Sequence, residues 1–243
     1  MKQFAGWLVL LMAVVVVLAT AGCAAWRLGR AADLARASTP LQVAPEHPAL
    51  RMLLVGDSTA VGTGASSPQA SLAGLLAGDY PGLFIENRAR DGARFDGVVE
   101  QLEGGGQFDF VLIMAGGNDV MRFRDADATR ADIQRAADLA LKLAPRVAFL
   151  PAGNVGNAPF FFPPVSWLMT KRARTLHDDV RSVAAATGAL YVNLYKSAEN
   201  DPFAQRPDLN AADGLHPSDA GYRIWRDELL AQTGWDKPLR AAR

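Results

Sequence analysis

Five short, uninterrupted apolar runs recur along the sequence after residue 49, and they constrain the fold more than any other feature. Continuous runs of this length, without the alternation of a half-exposed strand, are typical of parallel strands buried on both faces. They lie at residues 50–56, 83–87, 108–115, 146–151 and 189–194. Helical patterns separate or follow them, at residues 70–79, 94–103, 129–144, 165–187 and 217–232. This alternation predicts a three-layer α/β/α domain with a parallel sheet over residues 49–234, followed by a tail at 235–243.

Polar or glycine-bearing loops follow the predicted strands. Open parallel sheets place their reactive groups in the loops at the carboxyl ends of the strands. Four such loops stand out, at residues 56–58 (G-D-S), 87–92 (N-R-A-R-D-G), 116–119 (G-G-N-D) and 213–217 (D-G-L-H-P). Each loop alone is also explained as turn or capping chemistry, because Asp, Ser, Asn and Gly favour such positions. Together on one edge of one sheet, they indicate an active site.

Ser58 and His216 are the candidate nucleophile and base. A serine hydroxyl is a weak nucleophile and needs a base within hydrogen-bond reach. His177 falls inside a helical pattern, which favours a packing or surface role, whereas His216 falls at the expected edge of the sheet. Pro217 suits the first position of a helix, which would place His216 at a helix N-terminus, where the macrodipole favours the neutral ring. Asp213 is expected to hold the second ring nitrogen of His216.

Acyl transfer also requires hydrogen-bond donors aimed at the developing oxyanion. The backbone N–H groups of Ser58 and Gly92 and the side-chain amide of Asn118 are the candidates. Gly92 lets the backbone approach a substrate closely because it has no side chain. The G-G-N-D segment taken alone is equally typical of a plain turn.

The four loops, taken in order, resemble the four sequence blocks of the SGNH hydrolases, also called the GDSL esterase/lipase family. The resemblance spans residues 50–232 and is greatest to bacterial thioesterase/lysophospholipase-like members. It implies a flavodoxin-like sheet and hydrolysis of acyl esters or thioesters through an acyl-enzyme intermediate. The site residues it implies are a catalytic triad of Ser58, His216 and Asp213 and an oxyanion hole of Ser58, Gly92 and Asn118. Thr59 stands where the family usually has Leu.

A second reaction fits the same motifs. A carbohydrate O-acyltransferase or O-acetylesterase acting on envelope glycans would use the same serine and histidine. The expected partner is therefore an acyl-ester small molecule, a lipid or a glycan.

The composition argues against several other classes of protein. The 25 basic and 25 acidic residues balance, so no footprint for nucleic acid is visible. One cysteine and three histidines, without metal-ligand spacing, predict no metal site. The glycines at 62 and 64 mimic a dinucleotide-binding fingerprint but come too late after the strand, so no cofactor is expected.

An aromatic stretch follows the fourth predicted strand and contains Phe160, Phe161, Phe162 and Trp167. These side chains are candidates for a substrate-binding pocket at the active edge. Contact with a membrane, or packing inward over the sheet, explains them equally well.

Residues 1–26 predict an export or anchoring element. No charged residue occurs from 4 to 26, a length that can span a hydrocarbon core of about 30 Å. The T-A-G-C segment ending at Cys23 resembles a lipobox, and an uncleaved single-pass helix is the alternative. Residues 27–48 contain three prolines and predict a linker.

The expected location is the membrane, with the domain facing the periplasm. Lys2 precedes the apolar stretch, while Arg27, Arg30 and Arg36 follow it, so the positive-inside rule leaves a cytoplasm-facing domain open.

Overall fold

The computed structural model describes residues 2–241, without the side chains of residues 2–6, 8–10, 13, 16–19, 21 and 24. Its centre is a five-stranded sheet in the order β2-β1-β3-β4-β5, with every pair parallel. The strands are β1 (Leu50–Gly56), β2 (Leu83–Asn87), β3 (Phe110–Met114), β4 (Arg146–Phe149) and β5 (Leu190–Tyr191). This is the flavodoxin-like strand order, with a topological switch point between β1 and β3. The predicted fold class is confirmed.

Helices connect the strands and cover both faces of the sheet. They are α1 (Lys2–Ala37), α2 (Ser58–Val61), α3 (Leu72–Asp79), α4 (Phe95–Leu102), α5 (Gly117–Met121), α6 (Ala126–Leu143), α7 (Val165–Thr187), α8 (Pro202–Gln205), α9 (Asp219–Thr233) and α10 (Asp236–Ala241). The predicted helices correspond to α3, α4, α6, α7 and α9, with ends shifted by at most three residues.

The sheet divides the core into two layers, as a parallel sheet buried on both faces requires. Side chains of β3 alternate between the layers: Val111 and Ile113 pack under α4, α6 and α7, whereas Leu112 packs under α3 and α9. All three are at most 1% exposed. Loops from both layers meet at the carboxyl edge of the sheet.

The C-terminal boundary differs from the prediction. Residues 236–241 form α10, and Trp235 and Leu239 are each 2% exposed. The ring of Trp235 lies 4.8 Å from that of Phe110 in an edge-on contact. The packed fold therefore continues past residue 234, because two large apolar side chains of the predicted tail are buried against the sheet.

The predicted linker also differs. The first helix continues to Ala37, so residues 27–37 are helical. Their Ala, Leu and Arg residues are strong helix formers, and the first proline comes only at residue 40. Beyond the helix, Val43 pairs with Ile85 in an antiparallel bridge, and the Gln42 side chain makes two hydrogen bonds to the backbone of Asn87. This part of the linker is attached to the edge strand β2.

The membrane segment predicted for residues 4–26 is not supported. Among the described residues, no helix has both the length and the apolar character needed to cross a bilayer. Many side chains of this segment lie outside the described residues. Cys23 is half-buried and its thiol is free.

Candidate active site

Ser58 begins the short helix α2 directly after β1. The buried Asp57 caps this helix by accepting hydrogen bonds from the backbone N–H of Thr59 at 2.9 Å and from its hydroxyl at 2.7 Å. Burial raises the pKa of Asp57 above its usual range, although the bonds from Thr59 oppose the shift. A Cβ at Gly56, where φ is +150°, would lie 1.9 Å from the carbonyl oxygen of Met114. Only glycine fits this turn, which brings Ser58 to the open edge of the sheet.

Ser58, His216 and Asp213 form a continuous chain of hydrogen bonds. Nε2 of His216 lies 2.9 Å from Oγ of Ser58, and its Nδ1 lies 2.5 Å from Oδ2 of Asp213. His216 is 7% exposed and Asp213 is 2% exposed. Burial alone would raise the pKa of Asp213, but the bond to His216, its charge and nearby backbone N–H groups lower the pKa below its usual range. An ionised Asp213 can therefore orient the imidazole and stabilise a positive charge on it.

The loop that carries His216 is fixed by Asp213 itself. Oδ1 of Asp213 accepts hydrogen bonds from the backbone N–H groups of Leu215, at 2.9 Å, and His216, at 3.1 Å. Asp213 therefore shapes the turn as well as binding the imidazole.

The predicted helix start at residue 217 is wrong by two residues. Ser218 caps α9, which begins at Asp219, while Pro217 pairs with Asn210 in an isolated bridge. His216 therefore lies in the loop two residues before the cap of α9, and not at the first turn of the helix.

Asn118 lies in the first turn of α5, after the carboxyl end of β3. Gly116, with φ at +118°, is the N-cap of α5 and lets the chain turn from β3 into this helix. Asn118 is 7% exposed and lines the same cleft as Ser58 and His216. Its side-chain amide can therefore reach a substrate bound above Ser58.

Gly92 lies in the loop after β2, with φ at +74°. Two contacts hold this loop near the nucleophile: Arg90 N–H donates to the carbonyl of Gly56 at 3.1 Å, and the hydroxyl of Thr63 donates to Asp91 at 2.8 Å. Among the described residues Gly92 is not part of the cleft lining.

An open cleft of about 890 Å³, solvent-filled space included, lies over Ser58 and His216. The four aromatic residues predicted to bind substrate are absent from its described lining, and their contact with substrate stays a prediction. Phe162 and Trp167 are 56% and 70% exposed, and Phe161 packs against the core under α7 with Phe160 edge-on to it at 4.9 Å. The backbone N–H of Phe160 donates to the carbonyl of Gly214 at 2.9 Å, which ties the aromatic stretch to the loop that carries His216.

The sequence matches the family model described as "GDSL-like Lipase/Acylhydrolase family" over residues 54–224. This match covers more than half of the chain and includes all four loops of the site. The chain belongs to the GDSL-like lipase/acylhydrolase family. Among curated protein sequences, none matches it significantly.

Solved structures share the fold of this GDSL-family chain. A lipolytic protein of the G-D-S-L family from Veillonella parvula is 18% identical, with a TM-score of 0.58 over 74% of this chain and 96% of that one. An acetylxylan esterase from Geobacillus stearothermophilus is 23% identical, with a TM-score of 0.55 over 77% and 95%. An extracellular lipase from Streptomyces rimosus is 19% identical, with a TM-score of 0.56 over 76% and 100%.

Gln101 supports the nucleophile turn of this GDSL-family site, and the sequence analysis missed it. Its side chain, on the buried face of α4, accepts from the N–H of Gly56 at 2.7 Å and donates to the carbonyl of Gly56 at 2.9 Å. The amide thereby supplies hydrogen-bond partners to the backbone of Gly56, which lies beyond the last residue of β1 that pairs with β2. A glutamine within the apolar face of a helix was the available signal.

Replacing Gln101 with leucine is expected to destabilise the fold by about 1–3 kcal/mol, because the buried N–H of Gly56 loses its partner. The free energy of unfolding from urea titration measures this loss. Gln134→Leu, on the outer part of α6, is the matched control and should change stability by less than about 0.5 kcal/mol. Equal stabilities for the two variants would contradict the role given to Gln101.

Asp119, next to Asn118, is a second buried residue that the sequence analysis left without a role. It is 2% exposed and accepts a hydrogen bond from the N–H of Phe95, the first residue of α4, at 3.2 Å. Burial raises the pKa of Asp119 to about 7. Asp119 thus connects the Asn118 turn to the helix that carries Gln101.

His177 has a packing role, as predicted. Its Nε2 lies 2.7 Å from the carbonyl of Ala152, its Nδ1 lies 2.7 Å from the hydroxyl of Tyr191, and the residue is 4% exposed. Burial lowers the pKa of His177 to about 4, so the ring is neutral at physiological pH. No cluster of three or more metal-ligating side chains occurs among residues 2–241 with described side chains.

Proposed function

We propose that this chain is a serine esterase that hydrolyses carboxylic esters or thioesters through an acyl-enzyme intermediate. The observation that carries the proposal is the hydrogen-bonded chain from Ser58 through His216 to Asp213 at the floor of an open cleft. Membership in the lipase/acylhydrolase family supports a reaction on esters.

The first half-reaction acylates Ser58. Nε2 of His216 takes the hydroxyl proton as Oγ attacks the substrate carbonyl carbon, and Asp213 stabilises the imidazolium that forms. The carbonyl oxygen becomes an oxyanion, to which Asn118 and the backbone N–H of Ser58 donate. The family resemblance gives the backbone N–H of Gly92, in the loop after β2, as a third donor. The C–O or C–S bond then breaks, and His216 gives its proton to the leaving group.

The second half-reaction releases the acid. His216 removes a proton from a water molecule, which attacks the ester carbonyl of the acylated Ser58. The oxyanion forms again in the same position, and its collapse returns the proton from His216 to Oγ of Ser58.

Covalent labelling tests this function directly. A fluorophosphonate probe should modify Ser58 in the full-length protein and stop its hydrolysis of p-nitrophenyl acetate. Ser66, Ser67 and Ser71 lie within fifteen residues of Ser58, so fragment masses must assign the modified residue. Modification of any of these other serines, or none at all, would contradict the proposal.

Asn118→Ala is expected to lower kcat by roughly 10²–10³ with little change in KM, since the amide donates to the oxyanion and not to the ground state. Steady-state kinetics on p-nitrophenyl acetate measure both constants. Asn157→Ala removes another amide of the cleft lining and serves as the comparison. A rise in KM alone for Asn118→Ala would make Asn118 a substrate-binding residue instead.

The attachment of the chain to a membrane stays a proposal. The uncharged stretch at residues 4–26 and the single cysteine at position 23 support lipidation or a single-pass helix, with the domain in the periplasm. If Cys23 is lipidated, Cys23→Ser should block processing, and the mass of its mature chain should differ from that of wild type. Equal masses, apart from the sulfur-to-oxygen difference, would favour a single-pass helix.

A further inference from the structure

We propose that the part of the cleft beyond His216 is an apolar subsite for the aliphatic chain of the ester substrate. This inference rests on the proposed esterase function and gives it a substrate class. Leu194, Phe203, Ile224 and Trp225 form the subsite, and they line the same cleft as Ser58 and His216.

One wall of the subsite is the first half of α9. Ile224 and Trp225 lie on the face of α9 that lines the cleft, and Glu228 follows one turn later. With a rise of 1.5 Å per residue, these positions lie about 7 to 14 Å along the axis from the start of α9, which follows His216. A chain of several carbons that extends from Ser58 along α9 would contact these side chains.

Two further elements add apolar side chains to the subsite. Leu194 follows β5 and is 7% exposed, and Phe203 belongs to α8, with its ring 6.1 Å from that of Trp225. Trp225 is 6% exposed and packs edge-on against Tyr222. These contacts hold the two aromatic side chains in place, so the subsite is formed before a substrate binds.

Three polar residues of the cleft, Asn154, Asn157 and Asp201, already have hydrogen-bond partners within the protein. Both carboxylate oxygens of Asp201 accept hydrogen bonds, from the N–H of Phe203 and from the amide of Asn157. The amide nitrogens of Asn154 and Asn157 donate to neighbouring protein oxygens. Because these three groups bind one another, they are less available to the hydroxyls of a sugar, which favours an alkyl chain at the apolar side chains beside them.

A charged pair marks the far end of the subsite. Nζ of Lys196 lies 3.9 Å from Oε1 of Glu228, and their side chains are 36% and 33% exposed. Burying an alkyl chain against this half-solvated pair is unfavourable. We therefore expect kcat/KM to stop rising once the chain is long enough to reach the pair.

Two ester series test the subsite on the full-length protein. In p-nitrophenyl alkanoates from acetyl to dodecanoyl the chain is on the acyl side, and in n-alkyl acetates it is on the alcohol side. Each methylene that enters the subsite should raise kcat/KM by up to about fourfold. In at least one series kcat/KM should therefore rise with chain length and then level off.

Ile224→Trp places a larger side chain in the subsite. It should lower the ratio of kcat/KM for an eight-carbon chain to that for the shortest ester by at least about tenfold. Arg223→Trp is the matched control, because it adds the same ring on the exposed face of the same helix, and should leave this ratio within about twofold.

Each outcome separates the subsite from the catalytic function. Hydrolysis of p-nitrophenyl acetate with no gain for longer chains in either series would overturn the subsite while leaving the esterase intact. A length preference that Ile224→Trp does not change would also overturn it. No hydrolysis of any ester by the wild type would instead contradict the proposed function.

Discussion

The Ser58→Ala variant is expected to lose roughly 10⁶-fold in kcat on p-nitrophenyl acetate, because it removes the atom that forms the acyl-enzyme. Oγ of Ser58 lies 2.9 Å from Nε2 of His216, and this contact has no substitute in the variant. Any remaining rate would come from binding and oxyanion stabilisation of direct attack by water. Wild type and variant are compared by steady-state kinetics, after circular dichroism has established that both are folded.

A serine-to-alanine change elsewhere controls for effects on folding. Ser67 precedes a short turn, makes no capping hydrogen bond with its side chain and does not line the cleft. Ser67→Ala should keep kcat within about twofold of wild type. A Ser58→Ala enzyme that retained even a hundredth of the activity would exclude Ser58 as the nucleophile.

His216→Ala is expected to lose roughly as much as Ser58→Ala, and about tenfold more than Asp213→Ala. His216 transfers protons in both half-reactions, whereas Asp213 fixes the tautomer and stabilises a transient cation. The measurement is kcat/KM for both variants on one short-chain aryl ester.

The structure adds a third variant to this comparison. Asp213→Ala removes two backbone hydrogen bonds that shape the loop as well as the bond to the imidazole. Asp213→Asn keeps an oxygen for the backbone N–H groups and removes the charge, so it separates the two roles. An active His216→Ala enzyme beside folded but inactive Asp213 variants would overturn the assignment of the base.

Much of the fold could be predicted because its signals are local. Continuous apolar runs identify strands buried on both faces, and residues 83–87 match β2 to the residue. Residues 165–187 match α7 in the same way, because its apolar positions recur with helical spacing. The β5 strand is shorter than predicted, since only Leu190 and Tyr191 pair with β4.

The candidate triad could also be predicted from the sequence, for a different reason. In a parallel sheet the loops at the carboxyl ends of the strands share one edge, so polar groups in several of them must lie near one another. The separation of Ser58 and His216 by 158 residues does not hide this relation, because all the parallel strands of one sheet end at the same edge.

The sequence by itself determined the three-layer architecture and the loops that carry Ser58, Asn118 and His216, because strand and helix periodicities and turn residues act over a few neighbouring positions. Only the tertiary structure decided that Gln101 holds Gly56 and that Ile224 and Trp225, not the aromatic stretch at 160–167, line the cleft. Both sets of side chains are apolar, so hydrophobicity alone does not tell which set lines the cleft. Which of them faces the cleft depends on how α7 and α9 pack against the sheet and on the hydrogen bonds that join distant loops, and these contacts exist only once the whole chain has folded.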